Sequence, residues 1–210
     1  MPRLPAFPLL ALLALSACTH SREVVALPEA AAPSNAWRLL IADEDRTRLR
    51  HWRPTWVDAL AAARPGNEAA IAAEGPLLDP DAGLAGVRLP AGDYRCRRLK
   101  LGAQGATPSR YRVFAPQPCR LAEDGGRLHF SIGGGPQRPL GAFFPDTSRR
   151  MIFLGTLQLG DEALAYRYGR DAERDMIGIV ERIGDNRWRL VLPAPHFESL
   201  LDVIELVPAR

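Results

Sequence analysis

The second half of the chain consists of short segments in which apolar and polar residues alternate, and turn-forming residues separate these segments. The alternation starts at Gly92, and glycine next to aspartate or asparagine interrupts it at 124–126, 160–161 and 184–186. A period of two is the pattern of β-strands, and short strands at this spacing are typical of an antiparallel meander. This half therefore favours a sheet that closes into a barrel or curls strongly.

In the first predicted strand, apolar residues fall on both faces. Tyr94 and Cys96 occupy even positions and share one face, whereas Leu99 and Leu101 occupy odd positions and share the other. We expect a bulge near 97–98 to bring both pairs to one face. The later predicted strands are 111–114, 119–121, 128–132, 151–157, 163–168, 176–183, 187–192 and 203–207.

The segment 43–63 is predicted to be helical. Five apolar residues follow one another at intervals of three or four, which places them on one helical face: Leu49, Trp52, Trp56, Leu60 and Ala63. Pro54 is expected to split the segment and to lie in the first turn of its second piece. A short helix is expected over 67–71, ended by Gly75 and Pro76. We interpret the tryptophan pair as core rather than as a sugar-stacking platform.

The N-terminal 17 residues have the pattern of a signal peptide. Arg3 precedes an apolar run over 4–17 that is too short to span a bilayer comfortably. The run ends in Leu15-Ser16-Ala17-Cys18, which resembles the lipobox of bacterial lipoproteins. The resemblance implies cleavage before Cys18, a diacylglyceryl group on its thiol and N-acylation. The alternative is an ordinary signal peptide that leaves Cys18 unmodified.

Residue 19 is Thr rather than the Asp that marks inner-membrane retention in some sorting systems, so we expect a periplasm-facing anchor in the outer membrane. The predicted organisation is a signal peptide over 1–17, a lipidated tether over 18–36 and one α+β domain over 37–210. Its helical part covers 37–91 and its β part 92–210. Short N-terminal helices would pack on an end or face of an antiparallel meander, in the form of a lipocalin-like barrel or a strongly curled sheet.

Two cysteines remain once Cys18 carries lipid. In an oxidising compartment, Cys96 and Cys119 are expected to form a disulfide between neighbouring strands. The alternative is a reactive thiol or metal pair, but no histidine stands at ligand spacing from either cysteine.

The charges exclude one class of partner. The chain has 27 basic and 24 acidic residues, which interleave without a basic block, so we expect no nucleic-acid partner. Lys100 is the only lysine, and every other basic residue except the histidines is arginine. We attribute this bias to codon usage in a GC-rich genome rather than to anion binding.

The familiar reaction motifs are missing from the sequence. The four histidines lack metal-ligand spacing, and no serine stands in a Gly-x-Ser-x-Gly or Ser-x-x-Lys arrangement. We therefore predict no catalytic residue, no metal site and no cofactor, and we favour a protein that is not an enzyme.

The longest predicted loop, 133–149, supplies the candidate ligand-binding residues Phe143, Phe144 and Asp146. Long loops with paired aromatic residues are common binding sites. The alternative is that both phenylalanines pack into the core. The glycines at 133–135 are not a phosphate cradle, because Pro136 prevents a helix from starting there.

Several motifs occur together along the chain: Trp37-Arg38, Asp45-Arg46, Arg48-Leu49, Trp52, Trp56, Leu77-Leu78, Gly92-Asp93-Tyr94-Arg95-Cys96-Arg97, Lys100-Leu101-Gly102, Arg187-Trp188-Arg189 and Asp202-Val203-Ile204-Glu205-Leu206. Their pattern resembles one uncharacterised family, the one catalogued as domain of unknown function 4893, which occurs in envelope proteins of proteobacteria. The resemblance covers nearly all of the predicted mature chain. It implies no activity and transfers no catalytic residue.

Two functional hypotheses follow. The first is a lipid-anchored, non-catalytic binding module for a hydrophobic small molecule or an envelope protein, with a mainly apolar pocket near Phe143 and Phe144. The second is an envelope hydrolase that uses paired carboxylates about 5–10 Å apart in an acidic cleft. An acidic, paired cleft would contradict the first hypothesis.

Mass spectrometry of the mature N terminus tests the predicted anchor. We expect Cys18 to carry diacylglycerol and an N-acyl chain, because several acyl chains are needed for stable membrane attachment. Cys18→Ser should release the protein from the membrane fraction. An unmodified thiol at Cys18 of the exported protein would contradict the prediction.

Overall fold

A computed structural model describes residues 36–105 and 109–209. The predicted signal peptide, the lipidation site Cys18 and the tether up to residue 35 lie outside the described residues. Within the described ranges, no helix has the length and apolar character needed to cross a membrane.

Short helices precede the sheet. They are α1 (Trp37–Leu40), α2 (Asp43–Arg50), α3 (Trp52–Ala63), α4 (Glu68–Ala73) and a 3₁₀ turn (Gly75–Leu77). The predicted helical segment is split at His51, and Pro54 lies in the first turn of α3, where its missing N–H has no helical partner to lose. Helix α1 was not predicted, because four residues are too few to show a helical period.

Within the described residues, nine antiparallel strands form the sheet. They are β1 (Gly92–Leu101), β2 (Tyr111–Val113), β3 (Gln117–Asp124), β4 (Arg127–Ile132), β5 (Gln137–Pro145), β6 (Arg150–Leu159), β7 (Asp175–Gly184), β8 (Arg187–Pro193) and β9 (Leu201–Pro208). Strand β1 pairs with β3, the next strands follow in chain order, and β9 pairs with β1 again. Eight strands therefore close into a barrel, which confirms the predicted α+β fold. Strand β2 pairs with the end of β1 beyond β3.

Two predictions for the second half of the chain were wrong. The predicted strand 163–168 belongs to the connection between β6 and β7, and the predicted loop 133–149 contains the whole of β5. Strand β5 is hard to recognise because Pro139 and Gly141 interrupt its apolar pattern. In addition, its neighbouring residues Phe143 and Phe144 are both buried, one on each face of the sheet.

The predicted bulge in β1 was also wrong. Strand β1 pairs with β9 over 94–101 without a shift in register. Tyr94 and Cys96 point into the barrel, whereas Leu99 and Leu101 point outward and pack against the helices. All four are buried because the barrel interior covers one face of this strand and the helices cover the other. Burial of residues on both faces therefore requires no bulge.

The barrel interior is filled by side chains. Phe130, Phe143 and Phe153 form an aromatic cluster with ring centroids 5.6–6.1 Å apart. Such pairs contribute about 0.5–1.5 kcal/mol each beyond the burial of their area. Gly141 and Gly155 face each other across β5 and β6, and the Phe153 ring occupies the space that their missing side chains leave.

The helices pack on the outside of the barrel rather than across its end. Trp56, Leu60 and Ile71 cover the outer faces of β1, β8 and β9, and Trp56 is fully buried as the core interpretation predicts. Trp37 and Leu49 cover β5, β6 and β7.

A buried arginine fastens the helical part to the barrel. Arg189 of β8 donates hydrogen bonds to Glu181 at 2.7 and 2.9 Å and to backbone carbonyls within 76–79. Its guanidinium lies 4.5 Å from the centre of the Trp56 ring. A charge this deep is tolerated because these partners replace the water it has lost.

Helix α2 is tied to the barrel connections by a second buried network. Asp45 forms an ion pair with Arg48 and accepts a 2.5 Å hydrogen bond from the Tyr168 hydroxyl. Arg48 also donates to the carbonyls of Asp175 at 2.9 Å and Ala194 at 3.3 Å. Burial raises the pKa of Tyr168, and its hydrogen bond to the Asp45 carboxylate acts in the same direction. This network holds the β6–β7 and β8–β9 connections in place.

One end of the barrel is closed by the segment that precedes β1. Val87 and Leu89 belong to the interior cluster, and the Gly86 amide donates to the Ser148 carbonyl at 2.7 Å. The opposite end, here called the mouth, is surrounded by the β4–β5, β6–β7 and β8–β9 connections.

The predicted disulfide is confirmed. Cys96 of β1 and Cys119 of β3 are joined, with Cα atoms 5.9 Å apart. Both cysteines are buried inside the barrel. The bridge fastens β1 to β3 next to the point where β1 changes its partner from β3 to β2.

Substitution of Gly155 tests the packing of the interior. A Cβ atom at this position would lie 2.3 Å from the Phe153 ring and 2.4 Å from the Leu140 carbonyl oxygen. We expect Gly155→Ala to lower the free energy of unfolding by about 2 kcal/mol, measured by urea denaturation. Gly134→Ala is the matched control, since a Cβ there would meet no atom within 4 Å. Equal stabilities of the two variants would contradict this packing.

Candidate functional site

Two cations occupy consecutive inward positions of β1 at the mouth. Because the register of β1 with β9 is unbroken, Arg98 and Lys100 face the interior, opposite Ile204 and Asp202 respectively. Neither cation was predicted from the sequence to be a site residue. The one sequence feature that marks this place is that Lys100 is the single lysine of the chain, which was attributed to codon usage.

Lys100 is neutralised within the protein. Its side chain is 5% exposed, and Nζ lies 3.1 Å from Oδ2 of Asp202 and 3.5 Å from Oε2 of Glu198. The buried Ser199 hydroxyl donates a hydrogen bond to the other oxygen of Asp202. Asp202 is therefore the closer and more buried of the two carboxylates that bind this ammonium group.

Arg98 has no comparable partner. Its Nη2 donates to the Gln137 carbonyl at 2.7 Å, whereas its Nε is buried without a hydrogen-bond partner. Among residues 36–105 and 109–209, no carboxylate oxygen lies within 4.0 Å of its guanidinium nitrogens. Burial lowers the pKa of Arg98 below its ordinary value, and the nearby carboxylates of Asp202 and Glu198 oppose this shift.

A cleft of about 120 Å³ opens above Arg98. It lies where β1 changes partner from β3 to β2, between Cys96 and Leu99, beside the connection over 114–116. Apolar walls come from Phe114, Ala115, Ile132 and Pro136, and polar groups come from Arg98, Arg112, Gln117, Gln137 and Glu198.

The β8–β9 connection folds over the mouth beside this cleft. Gln104 holds it by donating to the carbonyls of Pro195 at 2.8 Å, Ser199 at 2.5 Å and Glu198 at 2.9 Å. Ala194 and Glu198 have φ angles of 45° and 69°, which residues with a side chain adopt rarely. Several tertiary contacts thus maintain an unfavourable backbone at the mouth.

The predicted ligand-binding residues are not brought together. Phe143 lies inside the barrel, whereas Phe144 lies on its outer face, with the Arg127 guanidinium 5.0 Å from its ring. Asp146 is buried, accepts a 2.6 Å hydrogen bond from Arg150 and also lies near Arg38. Both phenylalanines are therefore packed in buried clusters, as the alternative interpretation expected, and neither lines the cleft. The cleft lining does include residues 135–137, which lie near the start of the same predicted loop.

The cleft also lacks the acidic pair that a hydrolase of the second hypothesis would need. Glu198 is the one carboxylate in its lining, beside Arg98 and Arg112. Asp202 does not line the cleft. The carboxylates of Glu198 and Asp202 both pair with the ammonium group of Lys100, so they do not form a free acidic pair. In the part of the chain that the structure describes, no group of three or more His, Cys, Asp or Glu residues is arranged to hold a metal ion.

The fold and the mouth together define a class: a small, closed antiparallel β-barrel with helices on its outer face and one polar open end. The family model described as a domain of unknown function, DUF4893, matches residues 37–206, so the chain belongs to this family. No curated protein and no solved structure matches the chain. The match confirms the family resemblance and covers the helices as well as the barrel.

Variants of the buried ion pair test its energetic role. Asp202→Asn leaves the Lys100 ammonium without its closer counter-charge, so we expect a loss of about 3 kcal/mol in the free energy of unfolding. The double variant Lys100→Met, Asp202→Asn removes both charges and should recover most of this loss, as measured by urea denaturation. A double variant as unstable as the single one would show that packing, and not charge, is responsible.

Proposed function

We propose that this domain is a non-catalytic binding module that holds a small organic anion in the cleft at the barrel mouth. One observation carries the proposal: Arg98 lines the cleft, and its buried Nε has no hydrogen-bond partner within the described chain. A guanidinium in such surroundings gains strongly from a charge-assisted hydrogen bond to a carboxylate.

The size and the walls of the cleft restrict the ligand. Ligand pockets for drug-sized molecules begin at about 300 Å³, whereas this cleft measures about 120 Å³. The filled barrel interior offers no continuation for a long acyl chain. The ligand that fits is therefore a small anion with a short apolar group, which would lie against Phe114 and Ile132.

We further propose that the domain works in the periplasm, attached to the outer membrane through lipid on Cys18. The leader pattern and Thr19 support this location. The buried Cys96–Cys119 bridge also supports it, since such bridges persist in oxidising compartments. In that setting the ligand would be a small solute of the envelope.

Titration with butyrate, followed by ¹H–¹⁵N NMR, tests the proposed site. We expect butyrate to shift signals of residues around Arg98 in the wild-type protein. Arg98→Gln should weaken binding about tenfold or more, because a hydrogen bond to a charged group is worth about 1.5–3 kcal/mol. Circular dichroism would establish that the variant is folded.

Arg120→Gln is the matched control, since Arg120 is an exposed arginine of β3 outside the cleft lining. Its affinity for butyrate should equal that of the wild type. An undiminished affinity in Arg98→Gln, or no binding by the wild type, would refute the proposed function.

A further inference from the structure

Glu198 has an unusual position among the charges of the mouth. Its carboxylate lies 3.5 Å from Nζ of Lys100, and the residue also lines the cleft above Arg98. It is thus the one acidic residue that reaches both the cleft and the ammonium group within the described chain. Its side chain is 39% exposed, whereas those of Lys100 and Asp202 are 5% and 3% exposed.

One positive charge that points into the mouth lacks an anion when Glu198 is set aside. Arg98 and Lys100 contribute two positive charges from the inward positions of β1, and Asp202 contributes one negative charge that is paired with Lys100. Arg112 also lines the cleft, but its side chain is exposed and its charge is solvated. The remaining positive charge is half-buried and costs free energy unless an anion approaches it. Glu198 is the acidic residue of the cleft lining, but its carboxylate lies against Nζ of Lys100 rather than within ion-pair distance of Arg98, and its backbone conformation is unfavourable.

The tertiary contacts allow Glu198 to leave without disrupting the fold. Lys100 would keep Asp202 as its partner, and the backbone of the β8–β9 connection would keep its hydrogen bonds to Gln104. The side chain needs only to rotate towards solvent, which it already contacts. The cost of its departure is therefore small compared with that of breaking the buried Lys100–Asp202 pair.

We propose that the Glu198 carboxylate is an internal stand-in for the ligand, and that a ligand carboxylate that binds Arg98 displaces it from its place beside Lys100. This inference rests on the proposed function and makes it more specific. It assigns the ligand to the monocarboxylates, because the group that the ligand replaces is a single carboxylate. It also makes Glu198 a specificity-determining residue, which competes with any bound anion.

The test compares Glu198→Gln with the wild-type protein in the same butyrate titration. Removal of the internal competitor should increase the affinity for butyrate about fivefold or more. The matched control is Glu123→Gln, an exposed glutamate at the opposite end of the barrel, which should bind butyrate as the wild type does. Inorganic phosphate should bind more weakly than butyrate to every variant.

Lys100 offers a direct reporter of the displacement. Since it is the only lysine, protein labelled with ¹³C-lysine gives a single ε-methylene signal. Butyrate should move this signal in the wild type, and Glu198→Gln should move it in the absence of butyrate. The same change in Glu123→Gln is not expected.

The outcomes separate the two proposals. If Arg98→Gln loses butyrate binding while Glu198→Gln binds no more tightly than the wild type, the stand-in role is wrong and the binding site remains. An unchanged Lys100 signal in Glu198→Gln would also overturn the stand-in role. If none of the proteins binds butyrate, the proposed function fails and this inference fails with it.

Discussion

The unbroken pairing of β1 with β9 is the constraint on which the rest of this structure depends. It closes the barrel, and it does so over 94–101 without a shift in register. Because side chains alternate between the two faces of a strand, this single register decides the side of every residue in β1. Tyr94 and Cys96 are thereby directed into the core, and Arg98 with Lys100 is directed into the mouth. A slip of one residue would exchange the buried cations for leucines and would abolish the site.

The two ends of the barrel differ because the chain closes only one of them with apolar residues. Val87 and Leu89 complete the aromatic interior at the closed end. At the mouth, the interior ends in charged residues that bind one another or the connections above them. The buried pair of Lys100 and Asp202 is electrically complete, whereas Arg98 is not. Charges that are buried but unsatisfied are costly for folding, and this cost is the physical basis of the proposed ligand site.

Much of the fold could be read from the sequence, and little of the site. The helical segment with its break before Pro54, the barrel and the Cys96–Cys119 bridge follow from local periodicity, proline chemistry and cysteine counting. Strand β5 was missed because both of its faces are buried, so Phe143 and Phe144 do not alternate with polar residues. The same effect in β1 suggested a bulge that does not exist. Alternation identifies a strand reliably only where one face meets water.

By itself, the sequence determined the classes of local structure, the family and the disulfide partners. These depend on spacing along the chain, where the periods of helix and strand and the number of cysteines leave few alternatives. Only the tertiary structure decided which charges meet. Arg98, Lys100, Glu198 and Asp202 come together because strand closure and the β8–β9 connection juxtapose residues about a hundred positions apart. Such distances in space are set by register and packing, and no local pattern of residues records them.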